Sequence, residues 1–429
     1  MSNFGSRFGR SRMVSVEEME NEAADGAEVI ELPGETTDAA VADVAEVAVT
    51  IDTGVADVEI AVNDADTLEE VITVAENAEA EGGLEPSAAE MAAITVESFY
   101  ARVGFSKTAI ASLESFSSTK TRVKATQIAI EDWKQKLKEI WAAVVAAMKK
   151  VYVFVMDFFK NLFDASGKIQ ARAVALEKKA STLSGEAKEA EIKATSSFKL
   201  LTENDKFNYQ KVVNEGMSGL EHVSEKVSNL VATLETLAKN LIPMVEKQEA
   251  FDNFTIKGTT STDKKDAPEG MAWEELVLFS NIKLRVLHST SELKGKDAYN
   301  ALANVKSNIQ LPDLKAIKLE IVPTLSTAEI TDAAKNVQKL SKDMRGNNAA
   351  KAALEKYLKA ILADTERAGK LATDDKGAER SRYVSRAVIG SSNMLIKAAV
   401  QTNSISLKFA KAILDYAEAS AAQYSTEKK

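Results

Sequence analysis

The sequence predicts an all-α protein: an elongated helical bundle or coiled-coil body preceded by a largely disordered acidic N-terminal region that closes with a short helical hairpin. Three observations carry this expectation. Aromatic residues make up only 6% of the 429-residue chain, and alanine, lysine and glutamate dominate its second half, the composition of long solvated helices. Apolar residues recur at steps of three and four, most cleanly at Leu220, Val223, Val227, Leu230, Leu234, Leu237, Leu241 and Met244. The charge changes sign near Glu114: residues 1–114 hold 5 Lys+Arg against 25 Asp+Glu, and residues 115–429 hold 49 against 39. A net of −20 thus precedes a net of +10, an acidic leader before a basic body that suits an anionic partner.

Taken in order, residues 1–66 read as the disordered leader, acidic and too poor in large apolar groups to offset chain entropy. Within it Val47, Val49 and Ile51, then Val58, Ile60 and Val62, alternate as in a marginal β-hairpin. Residues 67–114 read as a helical hairpin. Its first helix opens on a Thr67/Glu70 capping box and stops at Gly82-Gly83; its second opens on Pro86 with Ser87/Glu90 and stops at Gly104. Residues 115–250 hold an amphipathic helix, a charged helix over 168–203, and the heptad helix limited by Pro243. Polar, breaker-rich residues 251–271 read as a linker. Residues 272–429 read as a C-terminal helical region: helix from Trp273 to Val305, a cap at Ser326/Glu329, and one long helix from Ala378 to Ala422.

The helix over 133–163 is the most hydrophobic segment. Trp133, Leu137, Ile140, Trp141, Val144 and Met148 line one face, which packs on partner helices or, with lysines 134, 136, 138, 149, 150 and 160 around it, rests in a membrane interface. Spanning is disfavoured, because Lys149 and Lys150 sit mid-run and each central lysine costs ~2.5–3.5 kcal/mol on insertion scales.

The chain has no cysteine, and its only two imidazoles, His222 and His288, lie in no ligand spacing; His288 is expected half-buried on a helix. No catalytic residue, metal ligand or cofactor site is expected. Asp52-Thr53-Gly54 matches the signature of retroviral-type aspartic proteases, in which paired carboxylates activate water, but helices follow where that fold needs a flap and a second strand. The basic N-terminal residues lack a following apolar stretch, so no secretory signal is expected.

Glu79-Ala80-Glu81-Gly82-Gly83-Leu84, Met91 to Ser98, Tyr100-Ala101-Arg102-Val103-Gly104-Phe105 and Ser112-Leu113-Glu114-Ser115-Phe116 resemble the N-terminal region of internal head proteins of giant, phiKZ-like tailed bacteriophages. The resemblance covers about residues 67–116 and, more loosely, the amphipathic helix that follows. It implies a structural virion protein, a prohead core component made in the host cytoplasm and packaged in the phage head. It further implies a head-maturation protease that cuts after a glutamate preceded two residues earlier by a small residue. Ser112-Leu113-Glu114, followed by Ser115, fits that pattern where the charge changes sign, although Ser15-Val16-Glu17, Gly26-Ala27-Glu28, Ala88-Ala89-Glu90 and Ser184-Gly185-Glu186 fit it too. The partners so implied are prohead and capsid components and the protease; the basic charge of the body points to packaged DNA bound without sequence preference, and the Leu220–Met244 seam to further copies of the chain. A membrane-active effector working through residues 133–163 is the alternative.

Overall fold

Residues 37–80 form one 44-residue helix, α1 (Thr37–Ala80), where composition points to disorder and a hairpin. Its buried positions explain why. Val41, Val44, Ala48, Ile51, Val55, Val58, Val62 and Ala65 alternate steps of three and four, and Leu68, Ile72 and Ala75 continue after one extra step of three. The apparent strand alternation fails at its other members: Val49 is 65% exposed and Ile60 49%. Thr67 is not a cap; it lies mid-helix, its hydroxyl donating to the Asn63 carbonyl at 3.0 Å.

The computed structural model describes residues 37–105, 116–346 and 375–426, with 352, 354–360 and 363. It is mostly helical, with small antiparallel sheets. The chain divides into two compact units, Met1–Gly34 with Gly54–Lys150 and Glu35–Thr53 with Val151–Lys429. The disorder expected over 1–36 lies outside the described residues.

In the first unit, α1 is followed by α2 (Pro86–Arg102) and α3 (Thr119–Ala180, 62 residues). Helix α2 starts on Pro86 with Glu85 as N-cap and no side-chain cap, so the Ser87/Glu90 box does not form. Helices α1 and α3 each give their remaining length to the second unit.

In the second unit the charged helix expected over 168–203 ends at Ala180. Short pieces replace it: β1 (Leu183–Ser184), β2 (Glu191–Lys193), a 3-10 turn (Ser196–Leu201), and β3 (Thr202–Glu203) with β4 (Lys206–Phe207). Asn204 and Asp205 both take positive φ, 48° and 63°, the two-residue connection that matches strand twist. Helix α4 (Tyr209–Glu246) carries the heptad; Leu220, Val223, Leu241 and Met244 are buried and Val227 is half-buried, while the side chains of 228–238 lie outside the described residues. Helix α5 (Gln248–Asp252) and β5 (Thr255–Ile256) occupy part of the expected linker.

The stretch expected as helix from Trp273 is instead a hairpin, β6 (Met271–Phe279) and β7 (Ile282–Ser289). Ser280 and Asn281, at φ 47° and 61°, make its turn, and Ile282, Leu284 and Val286 alternate inward along β7. Asn281 donates from its amide to the Asn204 side-chain oxygen at 3.1 Å, so the two tight turns meet. His288 therefore sits on a strand, 3.6 Å from Glu274, with its pKa lowered chiefly by burial. After β8 (Leu293–Lys294) and α6 (Lys296–Ala303), β9 (Ser307–Gln310) adds a third antiparallel strand beside β7. Strand β10 (Ile321–Pro323) pairs β2. Helix α7 (Thr327–Gly346) opens on the expected box: the Ser326 N–H donates to the Glu329 carboxylate at 2.8 Å and the Glu329 N–H to the Ser326 hydroxyl at 3.3 Å. Helix α8 (Asp375–Ala421), the long closing helix, is buried along most of its length, and β11 (Ser425–Thr426) returns to pair β1.

Aromatic rings lock α8 in place. Phe198, Phe207 and Tyr209 meet Tyr416 edge-on at 5.1–5.3 Å, and Phe279 stacks on Phe409 at 3.9 Å. Glycines set the closest approaches. A Cβ on Gly219 of α4 would lie 2.1 Å from the Leu278 carbonyl oxygen, whereas one on Gly167 of α3 meets nothing within 4 Å. Gly167→Ala is therefore expected to raise stability by about 0.5–1 kcal/mol through helix propensity. Gly219→Ala should lower it by about 1–3 kcal/mol, since backbone cannot step aside. Urea midpoints of the two variants, moving in opposite directions, check this pair.

Candidate processing site and the adjoining helix face

Ser112, Leu113, Glu114 and Ser115 lie outside the described residues, so the flanks define the site. On the N-terminal side Gly104 caps α2 at φ 99°, a conformation that favours glycine, and the Phe105 N–H donates to the Tyr100 carbonyl at 3.2 Å. The Phe105 ring stacks on Tyr100 with centroids 4.5 Å apart. On the C-terminal side Phe116 is buried, and its carbonyl accepts from Arg122 Nε at 3.2 Å. The two flanking residues, Phe105 and Phe116, are thus anchored in the first unit.

The turn between α1 and α2 docks on the start of α3. Gly83, at φ 94°, approaches so closely that a Cβ would lie 2.7–2.9 Å from Arg122 and Val123 atoms. The Leu84 N–H donates to Thr126 Oγ1 at 2.9 Å, and that hydroxyl donates to the Arg122 carbonyl at 2.9 Å. Glu85 pairs with Arg122, and the Gln127 amide donates to Glu79 at 2.6 Å. Further along, Lys134 pairs with Glu76 at 2.6 Å, and Arg102 joins α2 to Asp64 of α1 at 2.6 Å. The three helices therefore meet pairwise.

Trp133, Leu137, Ile140, Val144 and Met148 are all buried along α3, and Trp141 is half-buried. The chain itself occupies this face. Lys136, read from the sequence as one of the lysines around it, is instead buried. It pairs with Glu97 of α2, itself buried, and with Asp132 at 2.9 Å. Burial pushes the Lys136 ammonium down, but hydrogen bonds to Glu97 and Asp132 outweigh it and hold the pKa above the ordinary value. The Tyr100 hydroxyl, pushed up to about 12 by burial and by the Glu139 carboxylate it donates to, stays protonated at neutral pH. No helix among the described residues is long and apolar enough to cross a membrane.

Charge is divided by helix: α1 carries 12 Asp+Glu and no Lys, Arg or His, whereas α3 carries 13 Lys+Arg against 6 Asp+Glu. Most pairs between the helices are partly exposed and contribute ~0–1 kcal/mol each. Burial is the larger effect. Ile51, Val55 and Val58 of the expected leader, with Leu68, Ile72 and Val96 of the expected hairpin, are almost fully buried; at ~1.5–3 kcal/mol per side chain they supply a gross term on the order of 10 kcal/mol. Apolar packing, more than charge, holds the leader in place.

In the second unit, the N-terminal part of α1 makes polar contacts of its own. Asp38 pairs with Lys411 of α8 at 2.9 Å, and the hydrogen bond with Lys411 holds its carboxyl below the ordinary value. Gln401 of α8 accepts from the Ile309 N–H of β9 at 3.1 Å and reaches Asp52 at 3.3 Å. Asp52-Thr53-Gly54 is therefore mid-helix, where it cannot form the strand-to-turn geometry of a protease carboxylate. His222 is exposed on α4. Among the described residues no group of three or more His, Asp or Glu stands where it could hold a metal ion.

The heptad of α1 and the hairpin turns at Asn204-Asp205 and Ser280-Asn281 are, with the buried Lys136–Glu97 pair, features that sequence reasoning missed. The first was written in the Val41 to Ala65 spacing. The second was written in turn residues flanked by alternating apolar positions.

A search of curated proteins and of solved structures finds no match. A family profile does match, over residues 39–419, so it spans α1 and α2 as well as the basic helices. With that match across nearly the whole chain, the chain belongs to the phiKZ-like phage internal head proteins, structural components of the phage head interior.

Proposed function

We propose that this internal head protein is a non-enzymatic precursor, made in the host cytoplasm, packaged with prohead components and cut by a head-maturation protease between Glu114 and Ser115. Water adds across that peptide bond, leaving a carboxylate on Glu114 and an amine on Ser115. The observation that carries the reading is the charge inversion at this point, 5 against 25 before it and 49 against 39 after it. The cut falls at the covalent link between a −20 segment and a +10 segment, and the basic remainder is the part suited to packaged DNA.

Its binding is electrostatic and blind to sequence. If the remainder neutralises 6–10 phosphates, affinity should fall roughly 10³–10⁵-fold between 50 and 200 mM salt. Intact mass measurement of the protein from purified particles tests the maturation step. The expected species begins at Ser115, and recovery of a chain that still carries residues 37–114 by peptide linkage would rule it out.

A further inference from the structure

The segment before the charge boundary is not a cover laid over a finished body. In the first unit α1 and α2 bring Val55, Val58, Leu68, Ile72 and Val96 into the interior, and Glu97 meets Lys136 inside it. In the second unit the first turns of α1 bury Val41, Val44 and Ile51, with Asp38 on Lys411 and Asp52 on Gln401. The same helix therefore completes two cores, and neither set of contacts runs through the peptide bonds of 106–115. The family match begins at residue 39, inside this segment, so the family region includes residues 39–114 of it.

We infer that a cut within 106–115 leaves two chains in one non-covalent complex, in which residues 37–105 stay folded against the remainder and keep their acidic charge beside the lysines of α3. Hydrolysis of one bond removes the linkage and leaves in place the buried contacts of residues 37–105 among the described residues. The charge switch then has two steps: the cut permits it, and disengagement of α1 and α2 performs it. Competition from a polyanion, further cutting within the leader, or unfolding are the classes of event that supply the second step. The inference rests on the maturation reading only for where nature places the cut.

The test uses the full chain with residues 108–114 replaced by the recognition sequence of an unrelated site-specific protease. Completion of the cut is read on a denaturing gel, and the product is passed over a gel-filtration column at micromolar concentration in 0.15 M and in 1 M NaCl. Both fragments should co-elute at the volume of the uncut chain at both salts, with a native mass equal to their sum and an unchanged helical signal. Affinity for a 30-base-pair DNA duplex should rise no more than about twofold on cutting. Elution of the leader fragment alone at 0.15 M would overturn the inference. So would separation at 1 M only, since charge rather than the buried seam would then be the tie, and so would a hundredfold gain in DNA affinity on cutting. Failure here leaves natural cleavage at Ser115 standing, and absence of that cleavage in particles leaves this result standing.

Discussion

Replacing Lys136 with methionine is expected to destabilise the first unit by about 3–5 kcal/mol, because it removes the ammonium from a carboxylate, Glu97, that is only 8% exposed at the side chain. Glu97→Met should cost less, since Lys136 keeps Asp132, which is 53% exposed and reaches water. The double replacement, Lys136→Met with Glu97→Met, removes both desolvated charges and fills their space with apolar atoms. It should therefore be close to neutral or more stable than the natural chain by ~1–4 kcal/mol. A double-mutant cycle on urea unfolding, followed by tryptophan fluorescence in a Trp273→Phe background so that Trp133 and Trp141 report the first unit, measures this coupling. Additive single costs would mean that the two side chains do not share a site. The sign with pH follows from the raised pKa of Lys136: its contribution is present below the unfolded value near 10.5 and is lost as pH rises through the folded one.

Much of this arrangement could be read in advance from spacing, and the failures share one cause. The long face of α3, the helix α4 with the buried ends of its apolar seam, the Ser326/Glu329 box and the closing helix were legible because large apolar groups or unambiguous cap residues marked them. Helix α1 was not, because its seam uses alanine and valine among a dozen carboxylates. Average hydrophobicity then argues for disorder, although the spacing from Val41 to Ala65 argues for a buried stripe. Composition outweighed period where period was the better guide. The β6–β7 hairpin was lost differently: Trp273 and the apolar run after it looked helical until the positive φ at Ser280 and Asn281 made strand alternation the consistent reading. The buried lysine was illegible in principle. Nothing local distinguishes Lys136 from Lys134 or Lys138; only the arrival of Glu97 from another helix does.

Leu68→Ala decides between a leader that is an appendage and one that is half of a core. In a disordered or weakly attached segment the substitution would change stability by no more than about 0.5 kcal/mol, as for most surface positions. Leu68 is instead fully buried on α1, and truncation should cost about 2–5 kcal/mol, from lost transfer energy and from the cavity left behind. Ile60→Ala, on the exposed face of the same helix, is the matched control and should lie within the smaller range. Ile140→Ala, at a fully buried position on α3, should resemble Leu68→Ala in size, because both residues contribute to the interior of the first unit. Since the chain has two compact units, the three variants are compared on the tryptophan signal of the first unit and on total helicity, which need not coincide. A large loss for Leu68→Ala with none for Ile60→Ala identifies the acidic segment as structure. Equal, small effects would return it to the status of a tail, and maturation would then need only a single cut to expose the basic helices.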